Sequence, residues 1–203
     1  NYDWKSSSDT ETLLSCIEKW GIQRTLYKIR GMFAFALWDK KDKLLYLARD
    51  RAGEKPLYYG FINNLFVFTS EIKALKQLPE WNYKINRDVL KLYMRLGYIP
   101  TPYSIYEDIF KLTPGSFLKL DLKSYKKKEL KPKKFWDLDK IISSKVKQKS
   151  ESESIHELDE LLKNSVKEQM ISDVPVGAFL SSGIDSSTMV SLMQLQSSKK
   201  IKT

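Results

Sequence analysis

The sequence predicts an α+β region built on antiparallel strands, followed by the beginning of an α/β domain. Two pairs of short apolar, aromatic-rich runs, each joined by a polar turn, lie between residues 31 and 69. Further along, an amphipathic helix pattern is followed by an apolar run, a polar loop and another helix pattern. Hairpins indicate antiparallel sheet, whereas the order strand, loop, helix is typical of an α/β unit.

The predicted organisation has three parts: a first domain over residues 1–122, a basic linker over 123–150 and the start of a second domain over 151–203. The linker is rich in Lys and Ser and has little hydrophobic periodicity apart from Phe135 to Leu138. Because the first residue is Asn and not Met, we expect the chain to be a fragment of a longer protein.

Composition limits the class of protein. The 203 residues are 42% hydrophobic and 12% aromatic, enough for a packed core. With one cysteine, Cys16, and one histidine, His156, the chain has neither an internal disulfide framework nor a Cys/His zinc cluster, and a reducing, cytoplasmic setting is expected. No apolar run approaches ~20 residues, so we expect no membrane association.

The net charge of +10 is unevenly placed. Seven lysines and one glutamate lie between Lys123 and Lys134, and three further lysines lie near the C-terminus. A nucleic-acid groove normally combines Arg and aromatic residues on a folded face, so we interpret the lysines as a solvated connector and expect no nucleic-acid partner. The alternative from another class is a non-enzymatic basic adaptor that binds nucleic acid through these lysines.

In the first region, Ser8 and Glu11 have the spacing of a capping box and predict a helix from Asp9 to Trp20. Residues 31–50 predict one hairpin, and residues 56–69, with a turn at Asn63 and Asn64, predict another. We expect the two hairpins to form one antiparallel sheet of at least four strands, covered on both faces.

The remaining elements of the first region are shorter. Helices are predicted from Glu71 to Leu78 and, capped by Asn86, from Arg87 to Leu96. The turn Thr113-Pro114-Gly115 then leads into a predicted strand, Ser116 to Leu122.

In the second region, Ser154 and Glu157 repeat the capping-box spacing before an amphipathic helix from about Ile155 to Met170. A short buried strand, Val174 to Leu180, a polar loop, Ser181 to Ser187, and a helix, Thr188 to Leu195, follow.

The polar loop is the first candidate site. Backbone N–H groups and the positive end of a helix meet there, an arrangement that binds phosphate, and Asp185 is a candidate ligand for Mg²⁺. The loop lacks the Gly-x-x-x-x-Gly-Lys-[Ser/Thr] pattern of a Walker P-loop. Ser and Asp also cap helices, and Gly commonly occurs in turns, so a purely structural role remains open.

The run from Asp173 to Ser187 resembles the segment Asp-Val-Pro-x-Gly-x-x-Leu-Ser-Gly-Gly-x-Asp-Ser-Ser that opens the synthetase domain of the asparagine synthetase family. In that family the segment is the pyrophosphate-binding loop of an adenine-nucleotide hydrolase-like domain. The resemblance implies an ATP and pyrophosphate site made by Leu180, Ser181, Ser182, Gly183, Asp185, Ser186 and Ser187. Ser182 replaces a glycine that is usual there, a substitution that would be strained if the backbone needs positive φ.

Three stretches of the first region resemble successive segments of the family's glutaminase domain: residues 31–39, 48–59 and 70–75. That domain has an N-terminal-nucleophile fold, with two antiparallel sheets sandwiched between helices. By the same resemblance Asp9, in Ser8-Asp9-Thr10-Glu11, binds the amino group of substrate glutamine through a charge-assisted hydrogen bond. As a first-turn acid, Asp9 also suits a plain helix start.

The resemblance implies a complete enzyme that releases ammonia from glutamine, activates aspartate with ATP and Mg²⁺ as β-aspartyl-AMP, and forms asparagine. The family's nucleophile is an N-terminal Cys, which Cys16, inside a predicted helix, does not replace. We therefore assign no catalytic residue and expect the fragment alone to be inactive. A related amidotransferase acting on another carboxylate, such as a sugar acid, stays open, as does the oligomeric state, a homodimer included.

Overall fold

A computed structural model describes residues 2–121, 130–144 and 149–203. The chain forms two compact units, Asn1–Ile142 and Ser143–Thr203. Most of the predicted lysine-rich connector, residues 122–129, lies outside the described residues, as do residues 145–148. Among the described residues, no helix has the length and apolar character needed to span a membrane.

The first unit contains, in chain order, α1 (Asp9–Trp20), α2 (Ile22–Lys28), β1 (Ala34–Asp39), β2 (Leu44–Arg49), β3 (Tyr58–Ile62), β4 (Leu65–Thr69), a 3₁₀ helix (Ile72–Gln77), α3 (Arg87–Leu96), β5 (Ile109–Lys111), β6 (Ser116–Asp121), β7 (Lys133–Lys134) and α4 (Leu138–Ile142). The second unit contains α5 (Glu151–Gln169) and α6 (Ile184–Leu195). Both β7 and α4 fall inside the stretch predicted as a linker, and the three-part division of the chain stays a prediction.

The strands form two antiparallel sheets, ordered β1-β2-β6-β7 and β4-β3-β5. Both predicted hairpins are confirmed, and the β3–β4 turn places Asn63 in the left-handed region at φ 53°. The prediction that the two hairpins share one sheet is wrong. The second edge of β2 is taken by β6, and the second edge of β3 by β5, so each hairpin gains its own third strand from later in the chain.

The core of the first unit lies between and around these sheets. Leu47 and Leu118 of one sheet pack with Tyr59 of the other in a single buried cluster. The next residue along β2, Ala48, faces the opposite way and packs with Leu26 of α2. This alternation is the period-two pattern of a strand, and it shows that β2 is covered on both faces, as predicted.

The outer face of the second sheet is covered as well. Ile62, Val67 and Ile109 pack with Leu75 of the 3₁₀ helix in another buried cluster. The first unit is therefore a mixed α and β structure in which two antiparallel sheets lie between helical segments, the arrangement that the family resemblance implies and that the hairpin pattern alone did not predict.

The structure confirms most of the predicted helix bounds and caps in the first unit. α1 has the predicted bounds, but its predicted capping box is wrong: Ser8 caps the Thr10 N–H, while the Glu11 carboxylate accepts hydrogen bonds from Lys5 and Ser6. The Asn86 side chain caps α3, as predicted. The predicted helix from Glu71 to Leu78 is a 3₁₀ helix of six residues.

Gly115 shows why the predicted turn before β6 ends in glycine. Its φ is 64°, and a Cβ there would lie 2.6 Å from the carbonyl oxygen of Trp136. β6 begins at Ser116 as predicted, and Leu122, its predicted last residue, lies outside the described residues.

In the second unit, α5 starts four residues earlier than predicted. Residues 150–157 contain the capping-box spacing twice, and the box forms at Ser150 and Glu153, not at Ser154 and Glu157. A start at the Ser150–Glu153 box adds one helical turn to α5 and therefore further backbone hydrogen bonds. α6 likewise begins at Ile184, not Thr188, and its N-cap residue is Gly183, whose N–H donates to the Ser181 hydroxyl oxygen.

The predicted buried strand from Val174 to Leu180 is wrong. Its only β pairing among the described residues is an isolated parallel bridge between Gly177 and Lys202, and Phe179 is fully exposed. A single bridge leaves most of the segment's backbone groups without a ladder partner, so a regular strand does not form. Val176 and Ala178 nevertheless pack against the small core of this unit, which contains Val166, Leu192 and Met193.

Candidate functional site

Asp50 organises the end of β2 in the first unit. Its side chain is only 1% exposed, and its carboxylate accepts three backbone hydrogen bonds. Oδ1 accepts from the Glu54 N–H at 2.9 Å, and Oδ2 from the Lys55 N–H at 3.0 Å and the Phe33 N–H at 3.3 Å. A buried carboxylate is stable only with such partners, so Asp50 ties the entry of β1 to the loop that follows β2.

Arg49 fixes the same loop from its other side. Its guanidinium donates to the carbonyl oxygens of Gly53, Lys55 and Leu112 at 2.6 to 2.7 Å. Burial lowers the pKa of Arg49, and the charge of Asp50 only partly opposes that shift. Gly53, at φ 71°, has no room for a side chain, since a Cβ would lie 2.7 Å from Pro114 and 3.1 Å from the guanidinium carbon.

The cavity that contains Asp9, here the Asp9 cavity, has a volume of about 710 Å³. Its walls come from α1, the segment before β1, β1 itself, the loop after β2 and the end of β4. The lining residues are Asp9, Thr10, Thr12, Leu13, Cys16, Ile29, Arg30, Met32, Phe33, Ala34, Phe35, Lys55, Pro56 and Ser70. Phe33 and Lys55 are two of the three residues whose amides donate to Asp50, so two walls of this cavity share one buried anchor.

The Asp9 cavity carries charges of both signs. Asp9 supplies a carboxylate in the first turn of α1, while Arg30 and Lys55 supply cationic side chains. An α-amino acid is a zwitterion, and its ammonium and carboxylate groups call for this combination of partners. Cys16 lies on the same wall within α1, where it has no free α-amino group beside it.

The predicted nucleotide loop lies in the second unit, between the segment ending at Leu180 and the start of α6. Ser186 is its centre: Ser186 Oγ accepts a hydrogen bond from the Ser181 N–H at 3.1 Å and lies 2.8 Å from Ser181 Oγ. Ser181 Oγ in turn accepts from the Gly183 N–H at 3.2 Å. The Ser187 hydroxyl donates to the Gly183 carbonyl oxygen at 2.9 Å.

Two loop amides are thus occupied by the protein's own hydroxyl groups, and others are not. The N–H groups of Ile184, Asp185 and Ser186 open α6, and among the described residues they donate no hydrogen bond. These are the groups that a helix leaves unsatisfied at its start and that attract anions. Ile184 and Asp185 are exposed, so this end of α6 is accessible.

Ser182 fits the loop without strain. The described non-glycine residues with positive φ are Lys43, Asn63 and Asp108, and Ser182 is not among them. The N-cap residue Gly183 also has an ordinary φ of −78°. The concern that serine disturbs a glycine-specific conformation is therefore removed.

Two other predicted members of the site, Leu180 and Asp185, are exposed to solvent. Leu180 is 51% exposed, and Asp185 is an exposed carboxylate in the first turn of α6. Within the described ranges, no three His, Cys, Asp or Glu residues cluster as a ready-made metal site. Mg²⁺ commonly binds through one or two carboxylates plus phosphate oxygens, so the single Asp185 carboxylate fits a metal that arrives with a nucleotide.

Comparison with known families identifies both regions of the chain. Residues 1–136 match the sequence model of the glutamine amidotransferase domain. The chain belongs to the glutamine amidotransferase family. Residues 157–203 match the model of the asparagine synthase family, so this glutamine amidotransferase region is followed in the same chain by an asparagine synthase segment.

Curated relatives of the chain carry matching names. The chain is 42% identical over 198 residues to a Methanocaldococcus jannaschii protein provisionally named asparagine synthetase (glutamine-hydrolyzing) 2, covering 96% of this chain and 36% of that protein. It is 36% identical to asparagine synthetase (glutamine-hydrolyzing) 1 of Bacillus subtilis, covering 94% and 29%. The amidase chyE of Penicillium rubens is 29% identical, covering 95% and 27%. The chain thus spans about a third of the length of these relatives.

Sequence reasoning named Asp9 in the amidotransferase region but missed the residues that shape its cavity. Residues 48–59 are predicted only to resemble a glutaminase segment, and the structure shows that Arg49 and Asp50 fix the backbone of the cavity wall. The available signal was the adjacent Arg-Asp pair after an apolar strand, because a buried charge needs several partners nearby. Arg30 and Lys55 gave no comparable signal, since lysine and arginine are common at surfaces.

Proposed function

We propose that the complete protein is a glutamine-dependent asparagine synthetase. It transfers ammonia from glutamine to aspartate at the expense of ATP, through a β-aspartyl-AMP intermediate. The observation that carries this proposal is the succession, in one chain, of a glutamine amidotransferase match and an asparagine synthase match. The two antiparallel sheets between helical segments also suit the N-terminal-nucleophile sandwich expected for a glutaminase domain.

In this proposal the Asp9 cavity binds glutamine. Asp9 accepts hydrogen bonds from the substrate ammonium, and Arg30 and Lys55 attract its carboxylate. The cavity volume of about 710 Å³ exceeds what one amino acid requires, which leaves room for further groups of the site. Asp50 does not touch the substrate and acts by holding the Phe33 and Lys55 walls.

The loop from Leu180 to Ser187 binds the pyrophosphate portion of ATP. The open N–H groups of Ile184, Asp185 and Ser186 receive phosphate oxygens, and the hydroxyls of Ser181 and Ser187 can turn from their present partners to donate as well. When Mg²⁺ is bound, it neutralises phosphate charge, and Asp185 is the residue that would hold it. Stabilising the departing pyrophosphate favours adenylation of the acceptor carboxylate.

A second candidate keeps the chemistry and changes the acceptor. The Penicillium relative is named an amidase and not an asparagine synthetase, although it matches 95% of this chain. A relative with a region similar to most of this chain can therefore carry another name, and an amidotransferase acting on a different carboxylate, such as a sugar acid, is the runner-up. No nucleic-acid or membrane partner enters either proposal, a cytoplasmic location stays a prediction, and a homodimer is left open.

The test is AMP and pyrophosphate formation by the full-length protein with glutamine, ATP and Mg²⁺, assayed with aspartate and, separately, with sugar acids. We expect product only with aspartate, and we expect Asp185→Ala to abolish it. The matched control is Asp159→Ala, which removes a partly exposed carboxylate of α5 whose partner is the partly exposed Lys163. Product with a sugar acid instead of aspartate would select the runner-up, and ADP formation without AMP would contradict both candidates.

A further inference from the structure

Arg49 and Lys111 line a small cavity of about 270 Å³ in the first unit, here the Arg49–Lys111 cavity. The other lining residues are Pro56, Leu57, Tyr58, Tyr98, Ile99, Pro100 and Thr101. Only Pro56 also lines the Asp9 cavity. Arg49 is 9% exposed, and Lys111, at the end of β5, is partly buried. Two cationic side chains thus meet in a partly enclosed space.

Neither cation has a carboxylate partner in the part of the chain that the structure describes. Arg49 donates to three carbonyl oxygens, and the Lys111 ammonium donates to the Ile99 carbonyl oxygen at 2.6 Å. Carbonyl groups satisfy hydrogen bonds but carry no net charge. The Asp50 carboxylate, next to Arg49 in the chain, is occupied by three backbone amides and forms no ion pair with either side chain.

This arrangement is electrostatically unfavourable as it stands. Buried charges in proteins are normally paired with opposite charges. Two like charges close together raise the free energy of keeping each group charged. Burial lowers the pKa of Lys111, and the charge of Arg49 lowers it further. Burial also lowers the pKa of Arg49, and the charge of Asp50 opposes that shift only in part. A bound anion would relieve both effects at once.

The cavity also offers donors for such an anion. A guanidinium has five N–H groups and an ammonium has three, so donors remain on Arg49 and Lys111 after the bonds to carbonyl oxygens. Hydroxyl groups of Thr101 and Tyr98 lie on the same lining. The planar fork of arginine matches the oxygens of phosphate and carboxylate groups. A volume of about 270 Å³ suits one small ion, since pockets for larger ligands begin at about 300 Å³.

We propose that the Arg49–Lys111 cavity is a binding site for a small oxyanion, the class that includes inorganic phosphate and the carboxylate of a short organic acid. The site is distinct from the glutamine and ATP sites proposed above, because neither Arg49 nor Lys111 lines the Asp9 cavity or belongs to the loop before α6. It therefore stands or fails independently of the proposed function. Binding of the anion would strengthen the link between the loop after β2, which Arg49 holds, and β5, which carries Lys111.

Site-resolved lysine labelling tests the proposal on the unmodified full-length protein. An amine-reactive acylating reagent is applied with increasing inorganic phosphate or acetate, with chloride at equal ionic strength as the reference, and labelled peptides are quantified by mass spectrometry. Lys119, an exposed lysine of β6, is the internal control. We expect phosphate or acetate to slow the labelling of Lys111 about fivefold or more and to leave the labelling of Lys119 unchanged. The more effective of the two anions shows whether the site prefers phosphate or a carboxylate. Equal protection by chloride, or no protection of Lys111, overturns the proposal.

A pair of variants gives a second readout. Lys111→Met removes one cation and keeps an apolar stem of similar length, and Lys119→Met makes the same change at an exposed position. Without phosphate or acetate, Lys111→Met should melt at a higher temperature than the parent protein because the repulsion is gone. The stabilisation by saturating anion, expected to be roughly 3 °C in the parent and in Lys119→Met, should disappear in Lys111→Met. An unchanged anion effect in Lys111→Met contradicts the site.

Discussion

The hydroxyl oxygens of Ser181 and Ser186 lie 2.8 Å apart, across the turn that precedes α6. Ser186 Oγ also accepts the N–H of Ser181 at 3.1 Å, so the loop is closed on itself by its own side chains. The N–H groups of Ile184, Asp185 and Ser186, which open α6, take no part in these two contacts. In the proposed function, phosphate oxygens bind to these open groups without first unfolding the turn.

Ser186→Ala tests this arrangement. Removing the hydroxyl takes away the acceptor of the Ser181 N–H, so the loop loses its closure, and a hydrogen bond of this kind is worth about 1 kcal/mol. We expect the KM for ATP to rise by roughly fivefold to tenfold in the full-length protein.

The control for that prediction is Ser191→Ala, an exposed serine in the same helix and outside the loop. Steady-state kinetics with ATP as the varied substrate measure both variants. Equal KM values for Ser186→Ala and the parent would show that the closed turn has no part in nucleotide binding.

Asp9→Asn tests the glutamine site. The substitution keeps the shape of the side chain and removes its charge, and a charge-assisted hydrogen bond contributes about 1.5 to 3 kcal/mol. We expect the KM for glutamine to rise by roughly tenfold to a hundredfold. Activity with ammonium salts in place of glutamine should not change, because ammonia bypasses the Asp9 cavity.

Glu18→Gln, which neutralises an exposed carboxylate of α1 outside the Asp9 cavity, is the matched control and should leave both activities unchanged. Comparison of glutamine-dependent with ammonia-dependent asparagine formation gives the result. Parallel loss of both activities in Asp9→Asn would indicate a general structural role for Asp9.

Asp50→Ala tests the buried anchor of the cavity wall. The alanine leaves three backbone N–H groups without their acceptor in a buried position, and it also removes the negative charge beside Arg49. We expect the free energy of unfolding to fall by about 3 to 5 kcal/mol. Denaturant titration followed by aromatic fluorescence measures the change.

Asp42→Ala, in the exposed β1–β2 turn, removes the same group without burial and should change the free energy of unfolding by less than about 0.5 kcal/mol. If the two variants were equally stable, the hydrogen bonds to Asp50 would contribute nothing to the fold.

The capping box of α5 predicts a pH effect. Hydrogen bonds from Ser150, first from its side chain and then from its backbone, lower the pKa of Glu153. A lowered folded-state pKa means that the stabilisation is fully present above the ordinary pKa of glutamate and is lost as the pH falls through the folded-state value. We expect the first turn of α5 to fray in that acidic window, seen as a change in the Ser150 and Glu153 amide signals by NMR.

Glu153→Gln should remove that pH dependence, whereas Glu157→Gln, at the position of the box predicted from sequence, should preserve it. The reverse pattern would mean that the box forms four residues later than the structure places it.

Sequence reasoning succeeded where the decisive contacts are local. The bounds of α1, the two hairpins and the Asn86 cap each depend on residues within a few positions of one another, and all were predicted. The family of both regions was also identified, because whole motifs survive in the chain.

Predictions from the sequence failed where the structure depends on contacts between residues far apart in the chain. Neither hairpin reveals which later strand takes its second edge, so the division into two sheets could not be predicted. The segment from Val174 to Leu180 has the composition of a buried strand, but strand formation depends on partners, and of the residues that the structure describes only Lys202 pairs with it. The meeting of Arg49 with Lys111 likewise joins residues 62 positions apart, a pairing that no local pattern indicates.

The most direct test of the account is nitrogen transfer in the full-length protein. Glutamine labelled with ¹⁵N at its amide is incubated with aspartate, ATP and Mg²⁺, and the products are followed by NMR. We expect the label to appear in the side-chain amide of asparagine together with one AMP per asparagine. Asp185→Ala should abolish this transfer, and Asp9→Asn should slow it by roughly tenfold to a hundredfold at subsaturating glutamine. Unlabelled asparagine, or no asparagine with ATP left intact, would contradict the account.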